Sequence, residues 1–157
     1  MQGSILILEK QPNIPYDCAA TLLYANLSYK IIIRGTVSED PAQFAIDIRD
    51  DQGAILLHVN PRWTERRIIM NACSPIRGGI GGWGLQEYAP MNMRRSEPFE
   101  ITIKDKDDYF WIVVNNEIEV SFKKRLVPLS ARRHISVNKV DRDDITLNFV
   151  QMDEFPK

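Results

Sequence analysis

The sequence predicts an all-β fold, with two antiparallel sheets packed face to face as a β-sandwich. Three observations lead there. No stretch sustains the apolar periodicity of a long helix, short strand-like runs recur between turn residues, and several runs alternate apolar with polar side chains, the mark of a half-buried strand. At 157 residues the chain fits one domain with room for a sizeable core. Its formal charge of −1 and pI of about 6.1 give no general attraction to nucleic acid or to an anionic membrane.

The elements are taken in chain order. Residues 1–12 read as an N-terminal extension whose apolar run, Ile5 to Leu8, is too short for a signal-peptide core or a membrane span. Synthesis in the cytosol without membrane insertion is the expectation. A single domain follows over residues 13–150. Within it ILLHVNPRW, Ile55 to Trp63, reads as a strand, with Ile55, Leu57, Val59, Pro61 and Trp63 on the core side and His58, Asn60 and Arg62 on the other. Thr64 to Arg67 form a polar turn, IIMN a strand ending at Asn71, and RGGIGGWG a turn-prone stretch that carries Trp83. Asp105 to Asp108 read as a turn before the hairpin Tyr109–Phe122. Asn115 and Asn116 tolerate positive φ at its tip, and Ile118, Val120 and Phe122 alternate with polar neighbours beyond it. Ile145, Leu147 and Phe149 repeat the alternation, and residues 151–157 read as a tail. Cys18 and Cys73 lie far apart with no framework spacing, so reduced thiols are expected.

An imidazole, an amide and a guanidinium at two-residue spacing form a rigid row of planar donors and acceptors, suited to reading the directions of sugar hydroxyls. The plainer reading is a solvated strand face. The order of motifs weighs against it. HVNPR, then a strand ending in Asn71, then Trp83-Gly84, resembles the galectin family. NIPYDCAATL and KIIIRGTV are similar to that family's opening strands, PFEITI to the strand after the tryptophan loop, and YFWIVVNNEIEVSFKKRL to its long hairpin with a closing F, basic, R, L run.

The resemblance implies a jelly-roll-like sandwich that binds β-galactosides, of the lactose or N-acetyllactosamine type, on glycoproteins or glycolipids. It implies that His58, Asn60 and Arg62 bind galactose at its axial 4-hydroxyl and nearby oxygens, that Asn71 takes the 6-hydroxyl, and that Trp83 stacks under the ring. It also implies export by a leaderless route. One part of the motif departs: where galectins place Glu and Arg after WG, this chain has Gln86 and Tyr88. Glutamine cannot form an ion pair with Arg62, so the second-sugar subsite is expected to be altered. Glu65, three residues after Arg62, is a candidate to return a carboxylate to the site. Gln86 is the alternative heir, and Glu87 stands one residue off the motif.

Arg66-Arg67, Arg94-Arg95, Arg132-Arg133 and Lys123–Arg125 read as solvated faces, with Arg66 and Arg67 placed to approach a sulfate or carboxylate on an extended glycan. His134 reads as structural or exposed, and the sequon at Asn26 as unused. Asp50-Asp51, Asp107-Asp108 and Asp143-Asp144 read as solvated turn acids. No metal-ligand spacing, nucleophile elbow or phosphate loop occurs, so an enzyme is not expected and no metal or cofactor is called for. The competing class is a galectin-like protein-interaction module that has lost sugar binding. One domain offers one primary site, so glycan cross-linking would require self-association, with a homodimer through the Ile5–Leu8 strand or an exposed sheet edge as the expected route.

Overall fold

The computed structural model describes residues 4–22, 27–77, 80–140 and 142–156. Its regular structure is thirteen β-strands in two sheets, and every pairing is antiparallel. The first sheet runs β1 (Ser4–Lys10), β13 (Ile145–Pro156), β3 (Leu27–Val37), β9 (Pro98–Asp105), β10 (Tyr109–Val114), β11 (Ile118–Lys123). The second runs β2 (Tyr16–Thr21), β12 (Arg132–Lys139), β4 (Phe44–Arg49), β5 (Ile55–Arg62), β6 (Arg67–Arg77), β7 (Ile80–Trp83), and β8 (Glu87–Pro90) also pairs with β6.

Alternation sets the faces. Ile31, Ile33, Ile101, Ile103, Ile112, Val114 and Phe122 from the first sheet meet Ile46, Ile48, Leu57, Val59, Ile68 and Met70 from the second, all buried in one core. Complete burial of each such side chain contributes about 1.5–3 kcal/mol before the entropy cost of ordering it. Asn115 and Asn116 hold φ of 52° and 55° at the β10–β11 tip, the left-handed conformation that a two-residue hairpin turn requires.

Three segments carry more regular structure than their sequence reading. Ser4–Lys10 is an edge strand that pairs with residues 149–154, with Ile7 buried, and β13 continues to Pro156; Ser4–Lys10 and residues 151–156 therefore extend the first sheet. The strand expected to stop at Asn71 runs on to Arg77, because its later residues find a partner in β7, Cys73 opposite Trp83 and Ser74 opposite Gly82. Trp83 is thus held by a strand. Gly81 and Gly82, at φ of 129° and 116°, supply backbone conformations closed to other residues. The sequon at Asn26 lies outside the described residues.

Candidate functional site

The candidate residues share the outer face of the second sheet. Register puts Asp47 on β4 opposite His58 on β5, and His58 opposite Asn71 on β6, so three polar side chains form a row across three strands. Arg62 lies opposite Arg67, and Asn60 opposite Ile69, which is itself opposite Tyr88 on β8. His58, Arg62, Asn71, Trp83 and Gln86 line one open groove of about 770 Å³, with Ile69, Leu85 and Tyr88 completing its walls.

Each side chain is held by particular partners. Asp47 Oδ1 lies 2.6 Å from His58 Nδ1. A carboxylate only accepts, so Nδ1 carries the hydrogen and Nε2 is left as the free ring nitrogen. Asn60 lies beneath the groove, only 2% exposed. Continuing the β4–β5 register, through Gln43 opposite Arg62, puts Pro61 opposite Phe44. Proline has no N–H to offer there, and Asn60 Nδ2 donates to the Phe44 carbonyl at 2.6 Å. Asn60 Oδ1 then accepts from Arg62 Nε at 2.7 Å. The amide therefore aims the arginine.

Glu65 folds back onto Arg62. Its Oε2 accepts from Arg62 Nη1 at 2.8 Å and its Oε1 from Arg67 Nη2 at 3.0 Å. The hydrogen bond from Arg62, followed by that from Arg67, holds the Glu65 carboxyl below the ordinary glutamate range. The Arg67 guanidinium lies 4.1 Å from the centroid of the Tyr88 ring, and Tyr88 donates its hydroxyl to Gln86 Oε1 at 3.1 Å. An arginine–glutamate–arginine chain is thus assembled from one turn, with Tyr88 as the platform for its far end. Gln86 lines the groove from the loop before β8 and hydrogen-bonds Tyr88, whereas the carboxylate on Arg62 is that of Glu65.

Asn71 is 4% exposed. Its Nδ2 donates to Gly84 O at 2.9 Å, and its Oδ1 accepts from Ala72 N and from Arg125 Nη1, each at 2.8 Å. One amide hydrogen remains. Arg125 was hidden in a run read as solvated; it bridges Asn71 to Glu87 Oε2, the latter at 2.7 Å, with its guanidinium 4.6 Å from the Phe122 centroid. A Cβ on Gly84 would come within 2.8 Å of Arg125 Nη1, so the glycine after Trp83 leaves room for that side chain. Glu87, considered as a site acid, serves Arg125. Trp83 is 54% exposed, and its ring tilts against His58, centroids 4.7 Å apart at 58°. Cys73, opposite Trp83, is a free thiol whose pKa is raised by burial and by Asp47.

The supporting residues Asp47 and Arg125 escaped the sequence reading. The signals were an acid at a polar position of FAIDIR and the conjunction of Gly84 with the FKKRL run. Elsewhere, His134 pairs with Asp51 at 2.7 Å, and Asp50 and Asp144 are buried acceptors for backbone N–H groups. No group of three or more His, Cys, Asp or Glu that could hold a metal ion occurs among the described residues.

The sequence profile of the family described as Galactoside-binding lectin matches residues 20–152. A 32 kDa β-galactoside-binding lectin of Caenorhabditis elegans is 30% identical over 125 residues, which cover 76% of this chain and 41% of that protein. Human galectin-7 is 31% identical over 124 residues, covering 76% of this chain and 84% of the relative. The chain spans about two fifths of the length of the 32 kDa nematode lectins it matches. Among solved structures, a Caenorhabditis elegans galectin superposes with a TM-score of 0.72 at 16% identity, covering 92% of this chain and 94% of the other. Sheep galectin-11 in complex with glycerol does so with a TM-score of 0.68 at 21% identity, covering 90% and 98%. At these identities the superpositions speak for the fold alone.

Proposed function

The chain belongs to the galactoside-binding lectins, the galectin family, and from that premise we propose that it is a metal-independent lectin for β-galactosides with an altered second-sugar subsite. The observation that carries this reading is the convergence of His58, Arg62, Asn71 and Trp83 on one groove, with Arg62 fixed between Asn60 and Glu65. Trp83 offers an aromatic face to the C–H patch of galactose. His58 Nε2 and Arg62 meet the axial 4-hydroxyl, and the remaining Asn71 amide hydrogen takes the 6-hydroxyl. Glucose, with an equatorial 4-hydroxyl, leaves these groups unpaired at about 1–3 kcal/mol each.

Beyond galactose, the second sugar meets Glu65 from the β5–β6 turn, with Gln86 and Tyr88 where the family's usual glutamate and arginine stand. An open groove that desolvates few atoms supports binding on the order of micromolar to millimolar. Cross-linking through a homodimer belongs to the same proposal. Its support is the β1 edge strand, where Ile5 and Leu8 are exposed.

Calorimetric titration with lactose and N-acetyllactosamine, with and without chelator, tests the reading. We expect saturable binding that chelator leaves unchanged and that Trp83→Ala and His58→Ala abolish. Failure to bind any galactoside on a broad glycan array would replace it with the protein-interaction module.

A further inference from the structure

A second groove, of about 500 Å³, opens beside the β5–β6 turn and is lined by Trp63, Met91, Met93, Arg66, Arg94 and Arg95. Its floor is apolar and fixed. Trp63 stacks on Phe44, centroids 5.9 Å apart at 28°, and donates Nε1–H to the Met93 carbonyl at 2.8 Å. The loop carrying Arg94 and Arg95 is pinned from several sides. Met91 N donates to Arg66 O at 3.4 Å and Ser96 N to Ser38 O at 3.1 Å, while Asn92 Nδ2 reaches Val114 O at 2.9 Å and Asn115 Nδ2 reaches Asn92 O at 3.1 Å.

The charges on its rim are unusual for this molecule. Arg34, Arg49, Arg62, Arg67, Arg125, Arg132 and Arg142 sit in ion pairs, and Arg133 donates to backbone carbonyls. The side chains of Arg66, Arg94 and Arg95 make neither kind of contact with any described residue, and Glu65, next to Arg66, is engaged by Arg62 and Arg67. Three like charges around one cleft repel one another, and an oxyanion relieves that repulsion. Guanidinium forks match sulfate and carboxylate oxygens, and fixed backbone lowers the cost of ordering the site.

We propose that this groove is an anion subsite for a saccharide bearing a sulfate ester or a uronate carboxylate, with the sugar's C–H face on the partly exposed Trp63 and Met91. The saccharide as carrier rests on the lectin reading. The anion site rests only on the three guanidiniums and the groove.

The test titrates the full chain with a sulfated, uronate-containing disaccharide, its desulfated counterpart, inorganic sulfate and lactose, following tryptophan indole N–H resonances at low salt. We expect the sulfated probe to shift the Trp63 resonance and lactose to shift that of Trp83. Arg94→Ala/Arg95→Ala should weaken the sulfated probe at least roughly fivefold, with lactose affinity unchanged, and Lys123→Ala, a control for diffuse charge, should bind both as the unaltered chain does. A desulfated probe that binds as well and is lost in the double variant assigns the site to the carboxylate. Equal binding by the double variant, or equal loss in Lys123→Ala, overturns the site. Inorganic sulfate matching the saccharide overturns the saccharide as its carrier. Because lactose is read separately at Trp83, failure of the lectin reading and failure of this site give different results.

Discussion

Arg62 illustrates how one side chain is set in place by its neighbours. A guanidinium on a half-buried strand face needs a counter-charge and fixed acceptors. Here Asn60 takes Nε and Glu65 takes Nη1, so Arg62 is held from two sides where it lines the groove. Glu65→Gln should weaken lactose binding roughly tenfold, the scale of one lost charge-assisted hydrogen bond, and Gln86→Ala should cost less. Calorimetry on both variants decides; a large loss in Gln86→Ala with none in Glu65→Gln would assign the role to the glutamine. The pH dependence has a definite sign. The folded carboxyl titrates below its ordinary value of 4.5, so its contribution is complete above that value and is lost as pH falls through the lower one. The share of the affinity that Glu65 supplies should hold from neutral pH down to the ordinary glutamate range and decline only below it. The difference between the unaltered chain and Glu65→Gln should vanish there.

At the scale of elements, the groove depends on contacts between strands and the segments that follow them. Arg125, just past β11, braces Asn71 on β6 and Glu87 on β8, and Gly84 between β7 and β8 leaves the space it occupies. Arg125→Met should keep the fold, since the methionine still covers Phe122, while freeing Asn71 to turn. Several-fold weaker galactose binding with little change in urea midpoint is the expected outcome. Gly84→Ala should push Arg125 aside and reproduce that loss in milder form. A parallel fall in stability and binding in either variant would show that Arg125 is merely structural.

For the whole molecule, the sandwich separates stability from recognition by the alternation of its strands. Leu57 points into the core while its neighbour His58 lines the groove. Leu57→Ala should therefore cost about 2–5 kcal/mol of stability, read from denaturant unfolding, while the protein that remains folded binds lactose as before. Under the proposed reading, one candidate groove among the described residues makes cross-linking by this chain a matter of association. If Ile5 and Leu8 at the β1 edge mediate it, Leu8→Lys should abolish agglutination without altering lactose affinity. Sedimentation at high concentration should then report a monomer, and an unchanged dimer would send the search to another edge.

The sequence by itself determined the all-β class and the hairpin at Asn115-Asn116, and it nominated His58, Asn60, Arg62, Asn71 and Trp83. Period-two alternation, positive-φ turn residues and motif order are local properties. Only the tertiary structure decided which members face the groove and which hold it together. Asn60 proved to be buried beneath Arg62, Trp83 was held by a strand, and the choice of carboxylate on Arg62 fell to Glu65. Asp47 and Arg125 entered the site from outside the row of His58, Asn60, Arg62, Asn71 and Trp83, Arg125 from 54 residues beyond Asn71. The physical reason is that a hydrogen-bond partner is set by strand register and sheet order, which join residues distant along the chain, whereas alternation reports only which face each side chain takes.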